Sequence, residues 1–228
     1  MNQTDLGPNI LEQLELEWRG LCAGIRQEKM EDLFMQVTAA AQQTHEQQLT
    51  EAERAEALAP HDQTEQDFLA AIQGLSEAQW TFKPGPQRWS IQEVAEHVTR
   101  VEAFLGGAIA QTMEKDPDPN LEENPAAYAA IKAMVLDRSI RRVATSGPTV
   151  PTGEWTVKET VQRYKDAHAQ MRELLTRPGL PLKGRCFTGP PGTFTCHHFL
   201  MLIPMHTRRH LAQIADIKAT GANAGFPA

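Results

Sequence analysis

The stretch His206-Thr207-Arg208-Arg209-His210 holds the residues best suited to chemistry in this 228-residue chain. Two histidines four apart on a helix stand about 40° apart around its axis, one turn above the other. That spacing lets both imidazoles reach one divalent ion, as on the helices of zinc proteases. Here the residues between them are Thr-Arg-Arg, with no glutamate. The general base of a zinc protease is missing, so the pair reads as two ligands without that mechanism. By itself such a pair also occurs as an ordinary surface or partly buried feature.

A third histidine changes the balance. In Trp89-Ser90-Ile91-Gln92-Glu93-Val94-Ala95-Glu96-His97-Val98, Ser90 is a good N-cap and Glu93 completes a capping box. Ile91, Val94, Val98, Val101 and Leu105 recur at helical spacing. His97 borders that apolar stripe and so faces a core. A lone histidine there is more often a hydrogen-bonded core residue. Beside a His-x-x-x-His helix in the same small bundle, the three form a site with one open position, which is how a catalytic zinc is commonly held. Gln213 shares the face of His206 and His210 and could accept a hydrogen bond from a ligating imidazole, orient a water or pack at the rim. Glu93, one turn before His97, could play the same outer role, although its capping box already accounts for it.

These residues carry a resemblance. Leu75-Ser76-Glu77-Ala78-Gln79-Trp80, Lys83-Pro84-Gly85-Pro86, Arg88-Trp89-Ser90 and Glu93-Val94-Ala95-Glu96-His97, with the ending His206-Thr-Arg-Arg-His210 and Gln213-Ile214, resemble the DinB/YfiT-like family. The resemblance runs from about Leu49 to the C-terminus. It implies an all-α, DinB/YfiT-like four-helix bundle with a zinc or nickel ion on His97, His206 and His210. It further implies a thiol-dependent S-transferase, using a low-molecular-weight thiol as co-substrate, or a metal-assisted hydrolase. In either case a water or thiolate would take the open position on the metal. The alternative is a non-catalytic metal- or ligand-binding bundle in which the histidines clamp helices together.

Composition bounds the partners. Lys plus Arg total 22 and Asp plus Glu total 29, a net charge of −7, which lacks the basic footprint of a nucleic-acid binder. A small-molecule substrate is the expected partner. Hydrophobic residues make up 41% and aromatic residues 6%, which suits a bundle of Leu, Ile, Val, Met and Ala. Cys22, Cys186 and Cys196 describe neither a disulfide framework nor a zinc ribbon. No membrane-length apolar run is present, and residues 1–10 lack the basic n-region of a signal peptide, so a cytoplasmic protein is expected.

The chain divides into an N-terminal helical extension, residues 1–48, and the bundle, residues 49–228. In the extension Leu11, Leu14, Trp18, Leu21 and Ile25 form an amphipathic stripe that Leu33, Phe34 and Val37 could continue. This added helix would pack on the bundle or on a second subunit, making a homodimer, or remain a partly ordered extension. Bundle helices are expected over Leu49–Leu75, kinked or split at Pro60, then Ser90–Met113, Thr156–Leu175 and Phe194–Ala219. An intermediate helix is expected over Pro125–Val143. Residues Arg177–Gly192, with four prolines and four glycines, read as loop. Pro204 removes an amide that would bond to Leu200, giving either a bend that aims His206 or a kink with no role.

Other histidines compete for the site. His168 lies on the apolar stripe of its helix, where hydrogen-bonded burial is commoner than ligation. Cys196-His197-His198 looks metal-like, but adjacent helical residues diverge by about 100° and share one ion with difficulty. His45 and His61 sit in polar stretches and are expected at the surface. Trp80 and Trp89 are expected to pack in the core, with pocket lining the lesser possibility.

Overall fold

Four helices open on a side chain that exchanges hydrogen bonds with the third helical residue: Thr50 with Glu53, Ser76 with Gln79, Ser90 with Glu93 and Thr156 with Glu159. Each box satisfies two amides that lack helical partners, and losing such a cap typically costs about 1 kcal/mol. In the computed structural model, residues 27–118, 120–139, 147–189 and 192–223 are described. Their elements are α1 (Gln27–Glu46), α2 (Glu51–Ile72), α3 (Glu77–Thr81), α4 (Ile91–Thr112), α5 (Pro125–Leu136), α6 (Val157–Thr176), β1 (Cys186–Gly189), β2 (Gly192–Thr195) and α7 (Cys196–Asn223).

Two apolar clusters reveal how the long helices run. One joins Ala57 of α2, Ile109 of α4, Met171 and Leu175 of α6, and Phe199 and Ile203 of α7. The other joins Phe68 and Ile72 of α2, Ile91, Val94 and Val98 of α4, Tyr164 of α6, and Ile214 and Ile217 of α7. The start of α2 and the start of α7 therefore lie at the end where α4 and α6 finish. So α4 and α6 are parallel to each other and antiparallel to α2 and α7, and a long crossover connects α4 to α6. Around the bundle the neighbours run α2, α6, α4, α7, which sets α4 beside α7.

A polar layer separates the two clusters. His61, Thr64, Glu102, His168 and Thr207 are all buried there, at mid-length of the four helices. Glu102 accepts from the Thr207 hydroxyl at 3.2 Å and lies 3.2 Å from His168 Nδ1. His61, expected at the surface, is fully buried. Its Nε2–H donates to the Leu200 carbonyl at 2.8 Å. That carbonyl is the one left without a helical donor by Pro204, so the proline's missing amide is replaced by a side chain of α2.

The remaining departures from expectation are local. Helix α2 continues through Pro60 without a break, and α7 extends to Asn223. Helix α5 stops at Leu136, where the Asp137 amide caps the Ala133 carbonyl. The segment read as loop contains an antiparallel hairpin pairing Cys186 with Thr195 and Gly189 with Gly192. Gly192 has φ 129°, a backbone region that a side chain rarely adopts. No described helix is long and apolar enough to cross a membrane.

The stripe Leu11–Ile25 lies outside the described residues, as does the side chain of His45. In α1, Leu33, Met35 and Val37 are exposed. Gln47, which is buried, ties this segment to the bundle. Its side chain donates to the Asp118 carbonyl at 2.7 Å, and its own carbonyl accepts from Lys183 N at 3.0 Å. Deleting residues 1–46 should leave a cooperatively melting helical protein close to full-length stability. Deleting residues 1–48 should lower stability further, by about 1–3 kcal/mol, because both partners of Gln47 lose their bonds. Urea melts of the two truncations check this; equal midpoints would show that Gln47 contributes nothing.

Candidate metal centre

Antiparallel packing of α4 against α7 brings His97 to His206 and His210. Their ring centroids lie 4.5–5.2 Å apart, and one ring nitrogen from each falls within 4.8 Å of the other two. The closest approach is His206 Nε2 to His210 Nε2, at 3.1 Å. A tetrahedral ion with bonds of about 2.0–2.1 Å holds its ligand atoms about 3.3 Å apart, so this spacing suits a shared ion.

The outward nitrogens fix the tautomers. His97 Nδ1–H donates to the Thr149 carbonyl at 2.8 Å, and His210 Nδ1–H donates to Gln213 Oε1 at 3.0 Å. Both rings therefore turn an Nε2 lone pair inward. Among the described residues, His206 Nδ1 is buried without a hydrogen-bond partner. With the His206 proton on Nδ1, three lone pairs converge on one point, an arrangement that repels itself until a cation enters. The donor set fits a divalent transition metal.

Electrostatics favours the neutral state such ligands need. Burial lowers the pKa of all three histidines, and their mutual repulsion adds to the effect at His206 and His210. His210 is brought down to about 3. A metal arriving near neutral pH then displaces no proton from these rings.

Glu96, the residue before His97, orders the loop that supplies the Thr149 carbonyl. Its carboxylate is fully buried and accepts from Thr152 N (2.9 Å), Thr152 Oγ1 (2.9 Å), Gly153 N (2.8 Å) and Arg100 Nε (2.7 Å). Burial would raise its pKa, but these bonds outweigh it and hold the group ionised. Gly153 has φ 73°, so the turn that aims its amide at Glu96 suits a residue without Cβ. Arg100 also lies over the Trp155 ring, 4.6 Å from its centroid, and the Trp155 carbonyl accepts from Trp80 Nε1 and Gln92 Nε2. Reading the sequence by element missed Glu96. It stands on the side of the helix opposite the Ile91-Val94-Val98 stripe, and only the packing of residues 152 and 153 over that side buries it.

The other expected residues fall as follows. Gln213 touches His210. Glu93 gives one oxygen to the Ser90 amide and the other to Lys83, and the acceptor on His97 is Thr149 instead. Trp89 packs on the His97 ring at 5.0 Å and is half-buried, so it forms a wall of the site. Trp80 is core. His168 stays away in the polar layer; burial opposes its protonation, but Glu102 prevails and raises its pKa. Between the paired histidines, Thr207 reaches Glu102 and Arg209 donates to the Val135 and Asp137 carbonyls, holding the end of α5 on α7.

Three outcomes follow. Gln213→Ala and Glu96→Gln should each retain metal but release it to a chelator about 10–100-fold faster, as loss of an outer partner does. Unchanged chelator kinetics would reduce either residue to packing. In metal-free protein, the unfolded chain takes up protons below about 6.5 that the folded His210 refuses until about 3. Thermal midpoints should therefore fall as pH drops from 6.5 toward 3, and His210→Gln should flatten that slope.

The chain has relatives among known proteins. The sequence profile of the DinB superfamily matches residues 61–214. The uncharacterized protein YuaE of Bacillus subtilis (strain 168) is 28% identical over 152 residues, covering 64% of this chain and 88% of that protein. Among solved structures, YfiT from Bacillus subtilis, a probable metal-dependent hydrolase with an unusual four-helix bundle topology, matches with a TM-score of 0.47. It is 13% identical, over 78% of this chain and 91% of its own.

Proposed function

The chain belongs to the DinB superfamily, and we propose that it is a metal-dependent transferase that joins a low-molecular-weight thiol to a small electrophilic substrate. The carrying observation is the convergence of His97, His206 and His210, with outward N–H groups on His97 and His210 held by Thr149 and Gln213. Three ligands leave a position open, as catalytic centres do and closed structural sites do not.

When bound, the ion supplies a Lewis acid that lowers the pKa of a thiol or water beside it. Thiol chemistry suits this chain better for a reason of proton accounting. Around the three imidazoles stand a backbone carbonyl, an amide and an indole, and among the described residues no carboxylate pairs with any of the three rings. A thiol near pKa 8.5 needs to be lowered by only about one to two units to ionise at pH 7, and water by about nine. The sulfur then forms its bond to carbon as the leaving group departs, and the thiol's proton goes to solvent. Trp89 offers an apolar wall for the substrate, and His206 is the one imidazole of the three that is partly exposed. Hydrolysis is the second reading, favoured by the same open position.

Purified protein should carry one transition metal on these histidines, and His97→Ala and His206→Ala should reduce it. Thiol transfer to monochlorobimane should require metal and fall at least about 100-fold in His206→Ala. Turnover of p-nitrophenyl acetate without thiol would favour hydrolysis. Absence of both activities in metal-loaded protein would return the bundle to a non-catalytic metal-binding role.

A further inference from the structure

We propose that Glu123, His197 and His198 form a second divalent-metal site, separate from the three-histidine centre. Glu123 lies just before Asn124, the N-cap of α5, and the two histidines sit in the first turn of α7. Glu123 Oε1 is 3.0 Å from His197 Nδ1 and 3.6 Å from His198 Nε2, and the three candidate ligand atoms all lie within 4.8 Å of one another. Both distances bracket the roughly 3.3 Å separation of ligands around a tetrahedral ion.

The objection that adjacent helical residues diverge is met by the rings themselves. His197 presents its near nitrogen and His198 its far one, with planes 25° apart and centroids at 5.7 Å. The different reach of Nδ1 and Nε2 compensates for the different directions of the two Cβ atoms. Tyr128 stacks on His198 at 4.4 Å and 6°, which holds that ring in place. Thr195 of β2 donates to Glu123 at 2.6 Å, which orients the carboxylate.

The chemistry points to a cation. The first amides of α7 are already paired, with the Arg185 and Leu182 carbonyls and Thr195 Oγ1, so this helix end has none of them free for an anion. Among the described residues, the ion-pair partners of Glu123 within 4 Å are these two histidines. Two imidazoles and one carboxylate suit zinc, cobalt or nickel.

His198 and His206 are eight residues apart, about 12 Å along the helix axis, well beyond the 3.5–4 Å of a two-metal catalytic pair. The second ion would tie the crossover, β2 and α7 together at the start of α5. Arg209 already ties the other end of α5 to α7.

Equilibrium dialysis of metal-stripped, full-length protein against zinc tests this. Wild type should bind two ions per chain and the His97→Ala/His206→Ala variant one. Adding Glu123→Gln or, separately, His198→Asn to that variant should weaken the remaining ion by more than about 100-fold, with far-ultraviolet circular dichroism unchanged. Visible bands of the cobalt-loaded double variant should report histidine and carboxylate ligation and vanish with either addition. No zinc on the double variant, or zinc indifferent to both additional substitutions, would overturn the proposal.

Discussion

Everything at the candidate centre depends on one constraint: three clustered imidazoles must aim their lone pairs inward and their protons outward. A proton placed inside costs desolvation and repulsion, which is why all three histidines are shifted toward the neutral form. Two of the outward N–H groups, those of His210 and His97, have acceptors, while among the described residues His206 Nδ1 has none. The fold supplies one from the helix itself, Gln213, and one from a loop, Thr149. The loop holds its place through Glu96, whose carboxylate gathers two backbone amides, a hydroxyl and a guanidinium. The Glu96-His97 pair thus divides the labour, one residue facing the ligand point and its neighbour building the support.

The bundle tolerates a defect beside this centre for a comparable reason. Pro204 strips a donor from Leu200, and a bare buried carbonyl costs about 1–3 kcal/mol. His61 repairs it from α2, burial keeping the imidazole neutral with a pKa of about 4. The polar layer of His61, Glu102, His168 and Thr207 interrupts the apolar core at one level of all four helices. Such a layer ties the helices to one register, since a slip by a turn would bury Glu102 against hydrocarbon.

What the sequence made legible is what local chemistry dictates. Ser90 with Glu93 and Thr156 with Glu159 announce their helix starts within four residues, and the stripe Ile91-Val94-Val98 announces a buried face. The i,i+4 spacing of His206 and His210 places two rings together on any helix. The rest depends on partners distant in the chain. His61 stands between Pro60 and Asp62 and reads as surface; only the defect at Leu200, on another helix, explains its burial. Thr149 acts through its backbone carbonyl, which leaves no mark on residue type. The β1–β2 hairpin has strands of four residues, too short for an alternating pattern to stand out from a glycine- and proline-rich stretch. Glu123 meets His197 and His198 only because the crossover returns to the start of α7.

Crystals of zinc-loaded protein, with anomalous diffraction recorded on both sides of the zinc absorption edge, test the central claim most directly. The account predicts an anomalous peak about 2.0–2.1 Å from the Nε2 atoms of His97, His206 and His210, with Nδ1 of His97 and His210 still on Thr149 and Gln213. Zinc-loaded crystals with no peak among these three rings, or with an imidazole turned away from it, would contradict the account.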